Sequence, residues 1–270
     1  MPLATTDAHA AVDIAREAGE VLLEVRSNFT PDVEGKARGK AGDANAQERI
    51  AALLAERFPH DAVLSEEARD SAARLSADRV WIIDPLDGTR EYSEDRADWA
   101  VHVALWTRGA TPADAATDFP GELTAAAVAI PGEDVVLDTA SVEVLPALAD
   151  DAPIRLAVSR SRPPAVTEAV REGLGAELVP MGSAGVKIAA VVRGQVEAYV
   201  HAGGQYQWDS AAPVAIARAA GLHTSRIDGS PLVYNEADPY LPDLVVCRPE
   251  IADRILSLIA SHTATSGEDS

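Results

Sequence analysis

The stretch Val80–Tyr92, VWIIDPLDGTREY, constrains the fold more than any other part of the chain. An apolar run of the kind found in buried strands stops on two aspartates, Asp84 and Asp87, with Pro85 and Leu86 between them. Gly88, Thr89 and Arg90 follow at once. Alone, the pattern has two readings. Asp87-Gly88 favours a tight turn and Asp84 suits a helix cap, so a structural role accounts for the pair as well as a functional one. The neighbours shift the balance. Pro85 fixes the backbone between the acids, helping both carboxylates converge. Gly88 lets main chain approach an oxyanion closely, and Thr89 adds a hydroxyl. Two carboxylates with no histidine or cysteine beside them form a hard oxygen site, suited to Mg²⁺ rather than Zn²⁺.

Two further groups of acids share this kind of address. VLSEEARD puts Glu66-Glu67 at the end of another predicted strand, and GGQYQWDSAAP puts Asp209 where a glycine-rich loop opens a helix. Each alone reads as a solvated helix-start acid or an N-cap. Together they fall at strand ends and helix starts, where α/β folds build sites.

The remaining pattern sets the architecture. After the cap-like Thr5-Thr6-Asp7, the spacing of Ala8, Ala11, Val12, Ala15, Ala18, Leu22 and Val25 predicts an amphipathic first helix. EGKARGKAGD reads as a loop rich in glycine and basic residues. Ile50, Leu53, Leu54 and Phe58 then mark a second helix, ended by Pro59. AVLS, VWIID, WAVHVALW, LTAAAVAI and DVVLDT predict strands, and TRGATPADAATDFPGE a surface excursion. Near Ala149–Pro153 the pattern changes. Strands IRLAVS, ELVPM, VEAYVH and DLVVC now alternate with helices over Pro164–Leu174, Ala184–Val192, Ser210–Ala220 and Glu250–Ser261, and TATSGEDS reads as a frayed tail. The expectation is a mixed α+β and α/β molecule. An α+β subdomain over residues 1–152 would carry most of the acids, an α/β subdomain over 153–270 would carry Asp209, and a cleft would lie between them.

Charge and composition narrow the partners. With 23 Lys+Arg against 43 Asp+Glu, the formal net charge is −20, which argues against a groove for a nucleic-acid polymer. A small anionic substrate fits if metal ions reverse the local sign. The single cysteine, Cys247 in DLVVC, forms no intrachain disulfide and reads as a small core residue. The N-terminal residues lack the basic and apolar regions of a signal peptide, and no apolar run reaches membrane-spanning length. A soluble cytoplasmic protein without a membrane partner is expected.

WIIDPLDGT, behind an E-E pair and ahead of WDSAAP, resembles the inositol monophosphatase superfamily of Mg²⁺-dependent, lithium-sensitive phosphatases. The likeness covers nearly the whole chain, including GSAGVKIAAVVRGQVEAYVHAGGQ and GSPLVYN. SEE, DGTREY, VSRSRPP and WDSAAP are most similar to its CysQ-type 3′(2′),5′-bisphosphate nucleotidases. The resemblance implies a layered αβαβα sandwich in which Glu66, Asp84, the Leu86 carbonyl, Asp87 and Asp209 hold two or three Mg²⁺ ions. It makes Thr89, Glu66 and Asp43 the catalytic residues: Thr89 and Glu66 position a metal-activated water for in-line attack and draw off its proton, and Asp43 holds an extra metal ion or polarises Thr89. Asp43 stands in AGDANAQ, where the family has T-A-x-D. Gly88, Thr89, Arg90, Ser159, Ser183, Lys187 and Asp209 become substrate contacts. His201 and Trp208 read as packing residues, and Lys36, Arg38 and Lys40 as a solvated loop. The D-x-x-D spacing also differs from the nucleophilic D-x-D of haloacid dehalogenase-type phosphatases, so no covalent phosphoenzyme is implied. The implied reaction is hydrolysis of the 3′-phosphate of 3′-phosphoadenosine 5′-phosphate (PAP) to AMP, with PAPS also admitted, in support of sulfate assimilation and by a homodimer. Two alternatives stay open. One is a phosphatase for inositol 1-phosphate or fructose 1,6-bisphosphate, the other a non-catalytic metal and nucleotide sensor.

Overall fold

The computed structural model describes residues 3–29, 35–109, 121–161 and 163–268. Helices α1 (Leu3–Asn28) and α2 (Gly35–Arg57) lead into β1 (Ala62–Ser65), β2 (Arg79–Asp87) and the short α3 (Thr89–Ser93). Strands β3 (Ala100–Arg108), β4 (Gly121–Ile130) and β5 (Val135–Asp138) follow. Next come β6 (Arg155–Ser159), α4 (Ala165–Leu174), β7 (Glu177–Met181), α5 (Ala184–Val192) and β8 (Ala198–Tyr206). The chain then runs through α6 (Gln207–Ala219), β9 (His223–Ser225), β10 (Tyr240–Cys247) and α7 (Ala252–Glu268).

The strands form two five-stranded sheets, ordered β1-β2-β3-β4-β5 and β7-β6-β8-β10-β9. In the first, β1 and β2 are parallel and the other neighbours antiparallel. In the second, β6 runs parallel to β7 and β8, while β10 is antiparallel to β8 and β9. Alternation of side chains along β2 explains its unbroken apolar run. Trp81 and Ile83 point to one face, where Ile14, Leu22 and Ile50 of α1 and α2 cover them. Val80 and Ile82 point to the other, into a core shared with Ile188 and Val191 of α5, Val214 and Ile216 of α6, and Leu244 and Val246 of the second sheet. A strand buried on both faces has no polar positions to alternate with. The outer face of the second sheet, with Val158, Val200, Val245 and Cys247, packs on Val170 of α4 and Ile255 and Ile259 of α7. The layers thus run α1/α2, first sheet, α5/α6, second sheet, α4/α7. This is the αβαβα order that the resemblance implies.

Several local expectations are corrected. The glycine- and basic-rich stretch is helical from Gly35 onward rather than a loop, with Glu34 outside the described residues. Its glycines serve close packing. A Cβ at Gly39 would stand 2.6 Å from Ser93 Oγ, and one at Gly42 would stand 2.9 Å from Tyr92 Cε1. Bare positions there let α2 lie against α3. Arg38 is half-buried and donates to the Ser93 carbonyl, while Lys36 and Lys40 remain exposed. Helix α1 begins at Leu3, so Thr5-Thr6-Asp7 lies inside it, and Asp7 accepts two bonds from Arg79 at 2.9 and 3.0 Å. The final residues are not a frayed tail as far as Glu268, because α7 continues to that point. Gly203 and Gly204 belong to β8 rather than to a loop. Residues 110–120 of the expected surface excursion lie outside the described residues, as does Arg162. Among the described residues, no helix is long and apolar enough to cross a membrane.

Candidate functional site

The geometry of the opening motif comes from one irregularity. Asp84 pairs with His102 of β3, but Asp87 pairs with Ala100, so β2 spends three residues where β3 spends two. Positions 84 and 87 would point to opposite faces of a regular strand. The extra residue restores them to one side, as a β-bulge does, and Pro85 fits there because it has no N–H to offer the ladder. Asp84 Oδ1 accepts the Leu86 amide at 3.0 Å, which fixes the carboxylate within the bulge. Gly88 follows at φ 91, a left-handed conformation suited to glycine. A Cβ there would stand 3.1 Å from Ser183 Cβ, so the residue is packed in place.

Asp209 arrives from the other side of the site. It is the third residue of α6, and its Oδ2 accepts the Tyr206 amide at 2.5 Å. Asp84, Asp87 and Asp209 each present a carboxylate oxygen within 4.8 Å of the other two. Burial drives the Asp84 carboxyl well above the usual range, and the charges of Asp87, Glu66 and Asp209 add to this. Burial and then Asp87 push Asp209 up to about 7. Glu66 follows β1, and its amide donates to the Ile83 carbonyl at 3.3 Å. The residue as a whole is exposed, but its carboxyl end faces the cluster. Desolvation and the charges of Asp43, Asp87 and Glu67 raise it to about 7 against a lowering contact with Asp84. Asp43, buried in α2, also reaches about 7 through burial and then Glu67. The helix therefore delivers Asp43 to the same acidic neighbourhood that a loop was expected to supply. Thr89 Oγ1 donates to the Leu86 carbonyl at 3.2 Å.

This set fits a hard divalent cation. Asp84 Oδ2 and Asp43 Oδ1 are buried with no hydrogen-bond partner. Buried carboxylate oxygens left unpaired are costly unless a cation meets them. Every donor in the cluster is oxygen, the chemistry of Mg²⁺ rather than of a thiolate metal.

The expected substrate contacts are placed differently from one another. Arg90 is exposed and paired with Glu94 at 2.8 Å. Ser159 ends β6, and the next residue, Arg160, donates to Glu91 and Glu94. Ser183 caps α5, its Oγ donating to Asp87 Oδ2 at 2.5 Å and accepting the Val186 amide at 3.0 Å. Lys187 is not a surface lysine. It is buried, donates to the Gly182 carbonyl at 3.2 Å and to that of Ser183, and lies 5.2 Å from the Tyr199 ring. His201 sits on β8 between Tyr199 Oη and the Gly204 carbonyl, and Trp208 stacks on Tyr206.

One neighbour was missed from the sequence. Fully buried His102 lies 3.3 Å from Asp87 Oδ2, and its Nδ1 lies 3.1 Å from the Trp208 carbonyl. A carbonyl can only accept, so Nδ1 carries a proton. The ring thereby ties β3 to the start of the helix that carries Asp209, while Nε2 faces Asp87 without a hydrogen-bond partner. A lone histidine in the apolar run WAVHVALW was the only signal, and nothing in one sequence says what lies opposite it.

The chain is similar to known proteins over most of its length. The sequence model of the inositol monophosphatase family matches residues 4–264. The chain belongs to that family. As a member of the inositol monophosphatase family it is 49% identical over 257 residues to the 3′-phosphoadenosine 5′-phosphate phosphatase of Mycobacterium leprae, covering 94% of this chain and 93% of the relative. Identity to the protein of the same name from Mycobacterium tuberculosis is 50% over 248 residues, with 90% of each covered. The crystal structure of CysQ from Bacteroides thetaiotaomicron, itself described as a member of the inositol monophosphatase family, matches with a TM-score of 0.76 at 26% identity. That match covers 90% of this chain and 97% of the other.

Proposed function

We propose that the chain is a Mg²⁺-dependent phosphomonoesterase that removes the 3′-phosphate of PAP to give AMP, and acts likewise on PAPS. The observation that carries this reading is the convergence of Asp84, Asp87 and Asp209 within 4.8 Å, in a chain about half identical to proteins named for that reaction. Together with Glu66 and the Leu86 carbonyl, these residues would hold the ions. Bound there, divalent cations neutralise phosphoryl oxygens and make water a better nucleophile. The protein's own groups handle the proton. Asp43 and Glu66 lie in the same acidic neighbourhood, where a carboxylate can accept that proton. Thr89, anchored on the Leu86 carbonyl, offers a hydroxyl oxygen that orients the attacking water. In this reading residues 1–152 supply most of the acids and 153–270 supply Asp209 and the wall that carries Ser183.

The test is phosphate release from PAP, PAPS, inositol 1-phosphate and fructose 1,6-bisphosphate, with Mg²⁺ and with or without Li⁺. PAP should be preferred, and Li⁺ should inhibit. Equal turnover of all four would overturn the nucleotidase assignment, and no Mg²⁺-dependent turnover at all would favour a sensor. The reading extends to a cytoplasmic homodimer, checked by light scattering and by cell fractionation.

A further inference from the structure

Asp98 has no part in the scheme above. It stands just before β3, and Arg96 donates to both of its carboxylate oxygens, at 2.7 and 2.8 Å. Asp98 Oδ2 also accepts the Gly182 amide at 2.7 Å. Gly182 is pressed against α3, since a Cβ there would stand 2.1 Å from Glu91 Cγ and 2.9 Å from Asp98 Oδ2. From the other side, the buried Lys187 ammonium closes on the carbonyls of Gly182 and Ser183. That is otherwise a poor place for a cation, which loses hydration there and meets the positive end of the α5 dipole. The residue held between these groups is strained. Ser183 has φ 49 and ψ 141, outside the small left-handed helical region. The other described non-glycine residues with positive φ are Asp95, Asp134 and Asn235, types whose side chains ease that conformation. Such strain persists where the surroundings over-determine it. Its effect is to turn Ser183 Oγ and the Ala184 and Gly185 amides together onto Asp87.

We propose that Asp98 is a positioning residue for Asp87, holding Ser183 in its strained conformation so that these donors stay trained on that carboxylate. Lys187 closes the same turn from within α5. The inference rests on the reading of Asp87 as a ligand of the divalent cations. Without the clamp the turn would relax to an ordinary φ and the donors would swing off Asp87. Its carboxylate would then be free to rotate away from Asp84 and Asp209, which it faces within 4.8 Å. A purely structural role for Asp98 predicts less. Loss of its bond to Gly182 would free that one amide and lower stability evenly, without reaching Asp87.

Hydrogen exchange of the metal-free protein, followed by NMR, separates the two roles. In Asp98→Ala the Gly185 amide should exchange about tenfold faster, the factor for one charge-assisted hydrogen bond, beyond any change at the amides of β4. Asp98→Asn keeps an acceptor for Gly182 and should recover most of the protection. Glycine adopts positive φ freely, so in a Ser183→Gly background the turn needs no clamp and Asp98→Ala should cost Gly185 little. Lys187→Met removes the other half of the clamp and serves the same comparison should Asp98→Ala not fold. Mg²⁺ affinity by calorimetry should weaken by a similar factor in Asp98→Ala and return in Asp98→Asn. Unchanged Gly185 exchange in Asp98→Ala would overturn the proposal, as would an equal loss in the Ser183→Gly background. If Gly185 loosens while Mg²⁺ affinity holds, the clamp stands and the assignment of Asp87 to the metal fails.

Discussion

The hydroxyl of Ser183 donates to Asp87 Oδ2 at 2.5 Å, tying a candidate metal ligand of the first sheet to the helix of the middle layer. The Gly185 amide reaches the same oxygen at 2.6 Å, and the Ala184 amide reaches Oδ1 at 3.2 Å. Asp87 therefore serves the start of α5 as an anion serves any helix N-terminus, and it faces Asp84 and Asp209 as well.

Asp87→Asn should separate those two duties. The amide keeps the volume and one acceptor oxygen but loses the charge, and its NH₂ would meet donors on α5. Charge-assisted bonds contribute about 1.5–3 kcal/mol each, so some stability should be lost while the fold survives. Turnover should fall at least about 100-fold, with the heat of Mg²⁺ binding strongly reduced. Circular dichroism would show an intact fold. Near-normal activity would contradict the metal assignment.

The acidic cluster also sets a pH dependence. Asp43, Glu66 and Asp209 titrate near 7 when folded, chiefly because they are buried, and near 4 once unfolding restores solvent. Between those values the folded chain binds more protons than the unfolded chain, so these groups destabilise the metal-free protein progressively as pH rises from about 4 to 7. Buried His102 and half-buried His201 and His223, lowered by desolvation, push the other way below 6.5. The difference in melting temperature with Mg²⁺ and with EDTA cancels the terms common to both states. That difference should be small at pH 5.5 and should grow towards pH 8, as cations replace protons on the same oxygens. A gain that shrinks with rising pH would refute the argument.

The elements that the sequence made legible are those whose signals are local. The apolar run ending at Asp84 gave β2, and helical spacing gave α1 and the Ile50–Leu54 part of α2. Missed features depend on what lies across a gap. Gly39 and Gly42 read as loop formers because their partner, α3, is distant in sequence, yet each is bare to admit a side chain of α3. The bulge that turns Asp84 and Asp87 to one side is a property of pairing with β3, visible only in the register. The burial of Lys187, expected only as a substrate contact, is not legible because a buried lysine head group needs acceptors that only the folded Gly182–Ser183 turn provides.

Gly185→Ala tests how tightly His102 is held. A Cβ at this position would overlap His102 Nε2, and the ring cannot swing away without losing the Trp208 carbonyl. Alanine favours helix over glycine by about 1 kcal/mol, whereas overpacking a fully buried site costs about 1–3 kcal/mol. The clash should win, lowering stability in urea and weakening Mg²⁺ binding as the ring is pushed from its place beside Asp87. A variant as stable as the wild type would show that the contact has slack.

Arg74 makes the same kind of connection at longer range. It is 1% exposed, and it bonds Asp70 at 2.8 and 3.1 Å, Asn235 Oδ1 at 2.7 Å and the Glu236 carbonyl at 2.9 Å. The Asn235 amide in turn donates to Gln207 Oε1 at 2.6 Å, in the first residue of α6 and two before Asp209. The guanidinium thus ties the segment that follows Glu66-Glu67 to the start of the helix that carries Asp209. Arg74→Ala would strand Asn235 Oδ1 and a backbone carbonyl and leave a cavity, a loss of about 1–3 kcal/mol for each polar group left unsatisfied. Arg74→Lys keeps the charge but not the planar fork, so it should recover only part of that loss. Urea unfolding of both variants measures the stability. The Mg²⁺ concentration for half-maximal activity shows whether the strap also sets the spacing between Glu66 and Asp209. Should Arg74→Lys match the wild type in both, one positive charge would be enough and the fork geometry would carry no part of the coupling.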